Sequence, residues 1–383
     1  MNISAARARR TCDKTVVFLM ILLICLGLIT LFSATYYQRT ASGDPLSAVK
    51  KQLFGIGLGA GACVFLSNVP YRFFRRTRVM LTLLGISALA LILVIIPGIG
   101  VSINGSRRWL NIAGLSMQPS EFAKYAMVIF MAGALDRRGE EIHRFFAGVV
   151  PLLIVPGAMF LLILEQPNFS TGGSILICAL LMLFSAGLRK RHMALLGAGG
   201  LVLGAFYAWS APYRRARLLS FRDPFAKMID EGYQLSQSLI ALGSGGLFGM
   251  GLGQGKQKFA YLPYPESDFI FAIVGEDFGF AGCTAVVLLF LAFVFAGLRV
   301  ALSCRDRYGC LLASGITSMI GLQAFINMGV VTGIMPTTGL PLPFFSAGGT
   351  SVTMIMAAVG ILLNISRESG RAIVHRKENR REA

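Results

Sequence analysis

Long apolar stretches separated by short polar segments run through almost the whole chain. An α-helix rises about 1.5 Å per residue, so it crosses the roughly 30 Å hydrocarbon core of a bilayer in about 20 apolar residues. Ten stretches of this kind occur, which predicts an all-α, polytopic membrane protein. Residues 1–383 are expected to form a single integral membrane domain. The predicted spans are residues 16–36, 52–69, 79–98, 119–135, 145–164, 171–188, 192–209, 268–298, 309–332 and 347–366.

The composition agrees with a membrane protein, because 55% of the residues are apolar and only 14% are charged. Lys and Arg number 36 against 18 Asp and Glu. Their positions predict the orientation, since cytoplasmic loops of membrane proteins are enriched in Lys and Arg. With a cytoplasmic N-terminus, the short segments on the inner side hold 23 Lys and Arg, and those on the outer side hold 5. Both termini are therefore predicted to be cytoplasmic, and the basic segments are expected to contact anionic lipid rather than nucleic acid.

Outside the spans, the sequence predicts cytoplasmic tails over residues 1–15 and 367–383 and one large extracytoplasmic loop over residues 210–267. Long loops in compact proteins are usually functional or disordered, and this loop is predicted to be ordered. Its segment 231–253 combines apolar residues with serine and glycine, which predicts an amphipathic helix at the membrane interface.

Several kinds of site are excluded from the outer face. All seven cysteines and all three histidines map to spans or to the cytoplasmic side, so disulfides, a thiol nucleophile, a zinc site and imidazole chemistry are not expected there. The glycine-rich run 243–256 is not a nucleotide-binding loop, because the Walker spacing fails at Met250 and Gln257 follows Lys256 where Ser or Thr is required. Chemistry on the outer face is therefore expected to use carboxylates and cations.

Asp268 stands where the polar end of the long loop enters the eighth apolar span. An Asp before an apolar run is a standard helix N-cap, so both capping and catalysis are open interpretations. Glu276 and Asp277 lie deeper in the same span, where an ionised side chain costs about 2.5–3.5 kcal/mol on insertion scales. Both are therefore expected to face a polar cavity or cationic partners.

The fourth span begins with QPSEFAKYAM (118–127), in which Glu121 and Lys124 are three residues apart and share a helix face. One interpretation is an internal ion pair that allows both charges to persist in lipid. The other is a cavity that opens to the outside and is lined by a carboxylate and a cation. The sequence alone leaves both interpretations open.

Three longer motifs carry a resemblance to a known family. They are NGSRRWLNIAGLSMQPSEFAK (104–124), GMGLGQGKQKFAYLPYPESDFIFAIVGEDFGFAG (249–282) and PTTGLPLPFFSAGGTS (336–351), and they occur in the family's order on a ten-span frame. Over about residues 16–368 the chain resembles the SEDS family (shape, elongation, division and sporulation), the peptidoglycan glycosyltransferases that include FtsW, RodA and SpoVE. It is more similar to FtsW and SpoVE than to RodA.

The resemblance implies a SEDS-like bundle that polymerises lipid II into β-1,4 glycan strands on the outer face of the bacterial cytoplasmic membrane, for cell division or cell shape. It implies that Asp268, in SDFIF, is the catalytic residue and that Arg108 is the family's Arg before Trp. Glu121 and Lys124 match the family's E-x-x-K. The implied partners are a class B penicillin-binding transpeptidase and other divisome proteins. The chain departs from the family's usual Glu, Lys and Tyr at Tyr264, Thr338 and Ala347.

The chemistry of such a reaction requires only one base. The donor sugar is linked through its anomeric carbon to undecaprenyl diphosphate, which is already a competent leaving group. Asp268 is the predicted base, accepting the proton of the acceptor's GlcNAc 4-hydroxyl during an inverting attack. Metal ligands are not predicted, because the carboxylates are scattered, although Mg²⁺ or Mn²⁺ could share the stabilisation of the diphosphate. The predicted substrate-binding residues, which include the cations expected to stabilise the diphosphate, are Arg108, Glu121, Lys124, Lys256, Lys258 and Glu276.

Two other classes of function are compatible with a ten-helix bundle. Acids and a lysine inside the spans are also found in flippases and ion-coupled carriers. A carrier should show matching broken helices in two halves, however, and the sequence contains no convincing internal repeat. The third class is a scaffold that recruits a transpeptidase and has no activity of its own.

Overall fold

The computed structural model describes residues 13–40, 43–103, 106–112, 115–210, 212–228, 232–257, 259 and 261–382. Within these residues the protein is mostly helical. The α-helices are α1 (Lys14–Thr40), α2 (Ser47–Asn68), α3 (Thr77–Ile95), α4 (Pro119–Arg138), α5 (Val150–Leu164), α6 (Phe169–Ser185), α7 (Lys190–Trp209), α8 (Pro212–Arg222), α9 (Tyr233–Ser244), α10 (Ile270–Ser303), α11 (Arg307–Val331) and α12 (Gly349–Glu382).

Each of the ten predicted spans coincides with one helix, namely α1 to α7 and α10 to α12. Among the residues described, 8 helical segments are long and apolar enough to cross a membrane. The remaining two spans are atypical: α4 contains Glu121 and Lys124 among its apolar residues, and α6 is apolar but has 17 residues. The predicted polytopic helical fold is confirmed, and the protein is a multi-pass membrane protein.

A small antiparallel sheet between α3 and α4 was not predicted. Its strands are β1 (Gly100–Ile103), β2 (Ser106–Ile112) and β3 (Leu115–Met117), paired in the order β1-β2-β3. Strands this short carry only weak alternation of polar and apolar residues, so they are hard to recognise beside long helical repeats. Pro119 then occupies the start of α4, where its missing N–H costs nothing.

The long loop before α10 contains α8, a short 3-10 helix (Phe225–Lys227) and α9. The predicted amphipathic helix within residues 231–253 is present as α9. It is not exposed along its length, because Leu235, Ser238 and Ala241 are buried where it packs against α10 and α11. The Ser238 hydroxyl donates to the backbone oxygen of Val331 at 2.8 Å.

Helices α2 and α12 pack closely through a row of small residues. Gly55, Gly59 and Cys63 recur every four residues on the buried face of α2, a spacing that lets two backbones approach each other within a membrane. A Cβ atom on Gly55 would lie 2.6 Å from the Cα of Gly349, and one on Gly360 would lie 2.5 Å from the backbone oxygen of Cys63. This contact fixes the last helix of the bundle against the second.

We predict that Gly55→Ala destabilises the protein by about 1–3 kcal/mol, because the added methyl group overpacks a backbone contact. Gly57 is the matched control, since it lies on the same helix with nothing within 4 Å of the position of its Cβ. Gly57→Ala should be neutral or slightly stabilising, because Ala favours a helix over Gly. Thermal unfolding of both detergent-purified variants measures the difference, and equal midpoints would contradict the packing argument.

Candidate functional site

A cavity of about 1150 Å³ lies between the sheet, the loop before α10 and the helices α6, α7 and α11. Its lining has two chemically different parts. Arg108, Asn168, Asp268 and Thr337 contribute polar groups, whereas α6, α7 and α11 contribute mainly apolar side chains. Helix α7, which borders the cavity, has no buried residue among its described side chains. The cavity therefore joins a polar pocket to an apolar wall at the edge of the bundle. The apolar side chains from these helices include Ile177, Tyr207, Leu322, Phe325 and Ile326.

Asp268 is a half-buried residue of the polar part. The N-cap position of α10 is Phe269, one residue after Asp268, and Phe269 makes no side-chain capping hydrogen bond. The backbone at Asp268 is held firmly: the Asn327 side-chain amide donates to the Asp268 carbonyl oxygen at 2.7 Å, and the Ser346 hydroxyl donates to the Ser267 carbonyl oxygen at 2.5 Å. The carboxylate thus sits near the positive end of the α10 dipole, which favours a negative charge.

Arg108 lines the same cavity and stands on a β-bulge. The pairing of β1 with β2 runs from Val101 opposite Trp109 directly to Ser102 opposite Arg107, so Arg108 is the extra residue. Adjacent residues of a regular strand point to opposite faces, yet Arg108 and Trp109 both line the cavity. A bulge re-aims side chains in this way.

The Arg108 guanidinium also ties the sheet to the turn between α5 and α6. Its Nε–H donates to the backbone oxygen of Gln166 at 3.1 Å, and Nη2 donates to the backbone oxygen of Pro167. A guanidinium has five N–H donors in a fixed plane. Two contacts of this kind hold the orientation of the guanidinium beside the cavity.

Glu121 and Lys124 form an internal ion pair. Lys124 Nζ lies 2.8 Å from Glu121 Oε1, and the side chains are 0% and 1% exposed. Lys124 also donates to the Gln323 side-chain oxygen at 2.6 Å, and Ser351 donates to the second oxygen of Glu121 at 2.8 Å. Neither residue of the pair lines the cavity. Of the two interpretations of this motif, the structure shows the internal ion pair and not the residues of an open cavity.

The ion pair is nevertheless connected to Asp268. The side-chain amide of Gln323 donates to the Pro341 carbonyl oxygen at 2.9 Å. One turn further along α11, the amide of Asn327 donates to both Leu340 and Asp268 carbonyl oxygens. The segment that ends in Pro341 also places Gly339 near Asp268, 3.9 Å from the carboxylate to the position of a Cβ. Glu121 and Lys124 therefore support the wall of the cavity from behind.

The other predicted residues lie elsewhere. Lys256 is exposed and does not line the cavity, and Lys258 lies outside the described residues. Glu276 and Asp277 are buried. Glu276 accepts a hydrogen bond from the Gln257 backbone N–H at 2.9 Å, and Asp277 accepts one from the Ser33 hydroxyl at 2.5 Å. These two acids contact neighbouring parts of the protein and do not line the cavity.

Sequence reasoning missed the polar residues that line or support the cavity without carrying charge. Gln323 and Asn327 are one helical turn apart inside an apolar span and are both buried. Two amides at that spacing in a membrane helix are a recognisable signal, because each amide must find hydrogen bonds within the protein. Thr337 and Thr338 follow a proline in a loop and give no comparable signal. The cavity residues missed in this way include Trp109, Asn168, Gln234, Thr337 and Thr338.

The side chains that line the cavity determine whether it can hold a divalent cation. Among the described residues, no group of three or more His, Cys, Asp or Glu side chains is placed to hold a metal ion. Asp268 supplies the carboxylate among the described cavity-lining residues. Mg²⁺ is commonly held by one or two carboxylates together with substrate phosphates, so the site fits an ion that binds together with a phosphorylated ligand.

We predict that Lys124→Met lowers the free energy of unfolding by about 3–5 kcal/mol, because it leaves the Glu121 carboxylate buried without its cation. Combining it with Glu121→Gln should restore most of that loss, since both charges are then removed. Thermal unfolding in detergent of the wild type, both single variants and the double variant gives the coupling energy. Additive losses in the double variant would contradict a direct ion pair.

Curated proteins are similar in sequence to this chain over most of its length. A curated relative, stage V sporulation protein E of Bacillus subtilis (strain 168), is 44% identical over 358 residues, covering 93% of this chain and 97% of the relative. A protein of Geobacter sulfurreducens, named probable peptidoglycan glycosyltransferase FtsW, is 38% identical over 355 residues, covering 92% and 95%.

Two solved structures share the fold. One, from work on polymerization and crosslinking by a peptidoglycan synthase complex, has a TM-score of 0.78 at 29% identity and covers 94% of this chain and 98% of its own. The other, the rod shape determining protein RodA of Thermus thermophilus, has a TM-score of 0.69 at 28% identity and covers 94% and 97%. The profile of the family described as "Cell cycle protein", which joins FtsW, RodA and SpoVE, matches residues 13–371. The chain therefore belongs to the FtsW, RodA and SpoVE family of cell cycle proteins.

Proposed function

We propose that this protein is a peptidoglycan glycosyltransferase that polymerises lipid II into glycan strands. Family membership and the relatives' names support a glycosyltransferase. The observation that carries the proposal is the two-part cavity, in which Asp268 and Arg108 line a polar pocket beside an apolar wall. A sugar linked to a lipid by a diphosphate has the matching chemistry, because it joins a polar reacting centre to a long apolar chain.

In the proposed reaction the 4-hydroxyl of the acceptor's GlcNAc attacks the anomeric carbon of the donor. The new bond joins the hydroxyl oxygen to that carbon, and the bond from the carbon to the diphosphate oxygen breaks. The electron pair leaves with the diphosphate, and the hydroxyl proton passes to the Asp268 carboxylate. Attack from the face opposite the leaving group converts the α-linked donor into a β-1,4 linkage.

Arg108 is the proposed partner of the leaving group. Negative charge grows on the diphosphate as the bond breaks, and a guanidinium held in place stabilises that charge without reorganising. The contacts of Arg108 with the Gln166 and Pro167 carbonyl oxygens supply this preorganisation. Lys124 is too deeply buried in its ion pair to reach the cavity, so its proposed role is support.

The surroundings of the reaction follow from the same proposal. The polyprenyl chain lies against the apolar side chains of α6, α7 and α11, and the polar pocket faces the outer side of the cytoplasmic membrane with both termini inside. If a divalent cation takes part, Asp268 is the cavity-lining carboxylate that would hold it, and the ion would supply positive charge to the leaving diphosphate. The proposed partner is a class B penicillin-binding transpeptidase, which would crosslink the strands that this protein makes.

We predict that Asp268→Asn lowers the rate of polymerisation at least about 100-fold, because it removes the general base. The measurement is gel analysis of glycan made from labelled lipid II by the purified protein, with and without its transpeptidase partner. Glu266→Gln is the matched control, a carboxylate two residues earlier that does not line the cavity. Polymer formation by a folded Asp268→Asn protein at the wild-type rate would refute the base. Absence of polymer from the wild type with its partner would favour a flippase or a scaffold.

Arg108→Ala should lower kcat/KM for lipid II by about 100- to 1000-fold, the loss usually seen when one charge-stabilising donor is removed. Arg108→Lys should recover little, since an ammonium cannot make the planar contacts of a guanidinium. The neighbouring Arg107 is exposed and does not line the cavity. Arg107→Ala should therefore retain activity in the same assay, and an equal loss in both alanine variants would assign the effect to general surface charge.

A further inference from the structure

The glycine-rich run 243–256, which lacks the spacing of a nucleotide-binding loop, packs against α10. Its residues 245–251, which we call the glycine latch, lie against α10 at the point where this long helix is broken. Gly279 marks the break, with φ 68° and ψ −164° inside an otherwise continuous helix. Close backbone contacts and hydrogen bonds join the latch to this point.

The latch replaces two of the backbone hydrogen bonds within α10. In an unbroken helix the N–H of Phe280 would donate to the oxygen of Glu276, and that of Ala281 to the oxygen of Asp277. Here both N–H groups donate instead to latch oxygens, and both oxygens accept from latch N–H groups. The four bonds are Phe280 to Gly246 (2.9 Å), Ala281 to Leu247 (3.0 Å), Met250 to Glu276 (2.9 Å) and Gly251 to Asp277 (3.1 Å).

Glycine is required on both sides of this insertion. Gly249 has φ 86°, and a Cβ there would lie 2.2 Å from the backbone oxygen of Asp277. A Cβ on Gly279 would lie 2.3 Å from the backbone nitrogen of Gly249. No other residue type fits such a contact, because the two backbones occupy the space of a side chain.

The side chains of the two buried acids, Glu276 and Asp277, also hold the junction between the latch and the break in α10. Glu276 accepts from the Gln257 N–H, and the turn that contains Gly255 packs directly on its carboxylate. Asp277 accepts from Ser33 on α1. The junction is therefore held by α1, the latch and the chain that follows the latch.

We propose that the glycine latch, with Glu276 and Asp277 as positioning residues, sets the place of the Asp268 carboxylate in the cavity. This inference rests on the proposed role of Asp268 as the base. The first residue of the helix, Ile270, is separated from Gly279 by about 14 Å of helix, and Asp268 lies two residues before Ile270. A change of a few degrees in the direction of the helix at Gly279 therefore moves Asp268 by about 1 Å, and a misplacement of this size costs about 100-fold in rate.

Because the latch interrupts the ladder, residues 270–278 form a short helical unit that is positioned separately from the long remainder of α10. Asn327 holds one end of this unit through the Asp268 carbonyl oxygen, and the latch holds the other end. Without the latch, the two replaced hydrogen bonds would form as in a regular helix. Residues 270–278 would then change direction relative to the rest of α10. Glu276 thus acts on the reaction through Asp268 and does not contact the substrate.

The test compares Gly249→Ala with Gly253→Ala. Both glycines have positive φ, 86° and 80°, but nothing lies within 4 Å of the position of a Cβ on Gly253. Gly249→Ala should lower kcat about 100-fold with KM for lipid II unchanged, whereas Gly253→Ala should keep the wild-type kcat. Hydrogen exchange of the backbone N–H groups of Met250, Gly251, Phe280 and Ala281 should become faster only in Gly249→Ala.

Glu276 provides a second variant pair in case Gly249→Ala does not fold. Glu276→Gln keeps an oxygen that accepts from Gln257 and should keep kcat, whereas Glu276→Leu should lose it. A raised KM in Glu276→Gln would show that the charge binds substrate and would overturn the positioning role. Faster exchange at the junction with an unchanged kcat would also overturn it, while leaving the base intact. If instead Asp268→Asn is active, the proposed function fails, and the exchange data still report on the latch.

Discussion

Polar groups between the membrane-spanning helices have to find their partners inside the protein, because neither lipid nor a neighbouring apolar helix can replace water. The buried cation of Lys124 shows the consequence. Its charge is balanced by Glu121, it also donates to Gln323, and Gln323 in turn holds the segment beside Asp268. Burial of one charge therefore requires a network of hydrogen bonds, and this network shapes the cavity. The polar pocket therefore owes its form to residues that never line it.

The same requirement explains the two-part character of the cavity. Its polar groups are concentrated on the sheet, the turn before α6, the loop before α10 and the segment around Thr337, whereas α6, α7 and α11 contribute mainly apolar side chains. Backbone that departs from a regular helix is tolerated at membrane depth where protein surrounds it. The break at Gly279 is such a case, since the four backbone groups of the two interrupted helix bonds are all bonded to the latch. Under the proposed function, this irregular segment also positions Asp268.

The sequence was sufficient for the helices, and it singled out Asp268, which lines the cavity. It was insufficient for the contacts between distant segments. Ten apolar stretches predict ten helices because the membrane fixes their length. Asp268 could be identified because it stands at the end of a loop and within a motif that resembles a family. Only the structure shows that the N-cap position of α10 is Phe269 and not Asp268.

Other residues show why long-range partners cannot be inferred from spacing. Glu121 and Lys124 share a helix face in either interpretation, and only the positions of Gln323 and Ser351 decide that the pair is closed. Glu276 was expected to bind substrate because it is an acid in a membrane span. Its partner, the backbone of Gln257, lies in a glycine-rich loop whose path no periodic pattern specifies. The sheet was missed because its strands have 4, 7 and 3 residues.

The extra residue in β2 limits which mutations the sheet can accept during evolution. Arg108 and Trp109 reach the cavity together only because one strand contains one residue more than the strand opposite it. Loss of a single residue there would restore regular pairing and turn one of the two side chains to the opposite face. Substitutions elsewhere in the sheet change one side chain at a time, whereas a deletion here would turn Arg108 or Trp109 away from the cavity. The length of this strand is therefore constrained by the lining of the cavity as well as by folding.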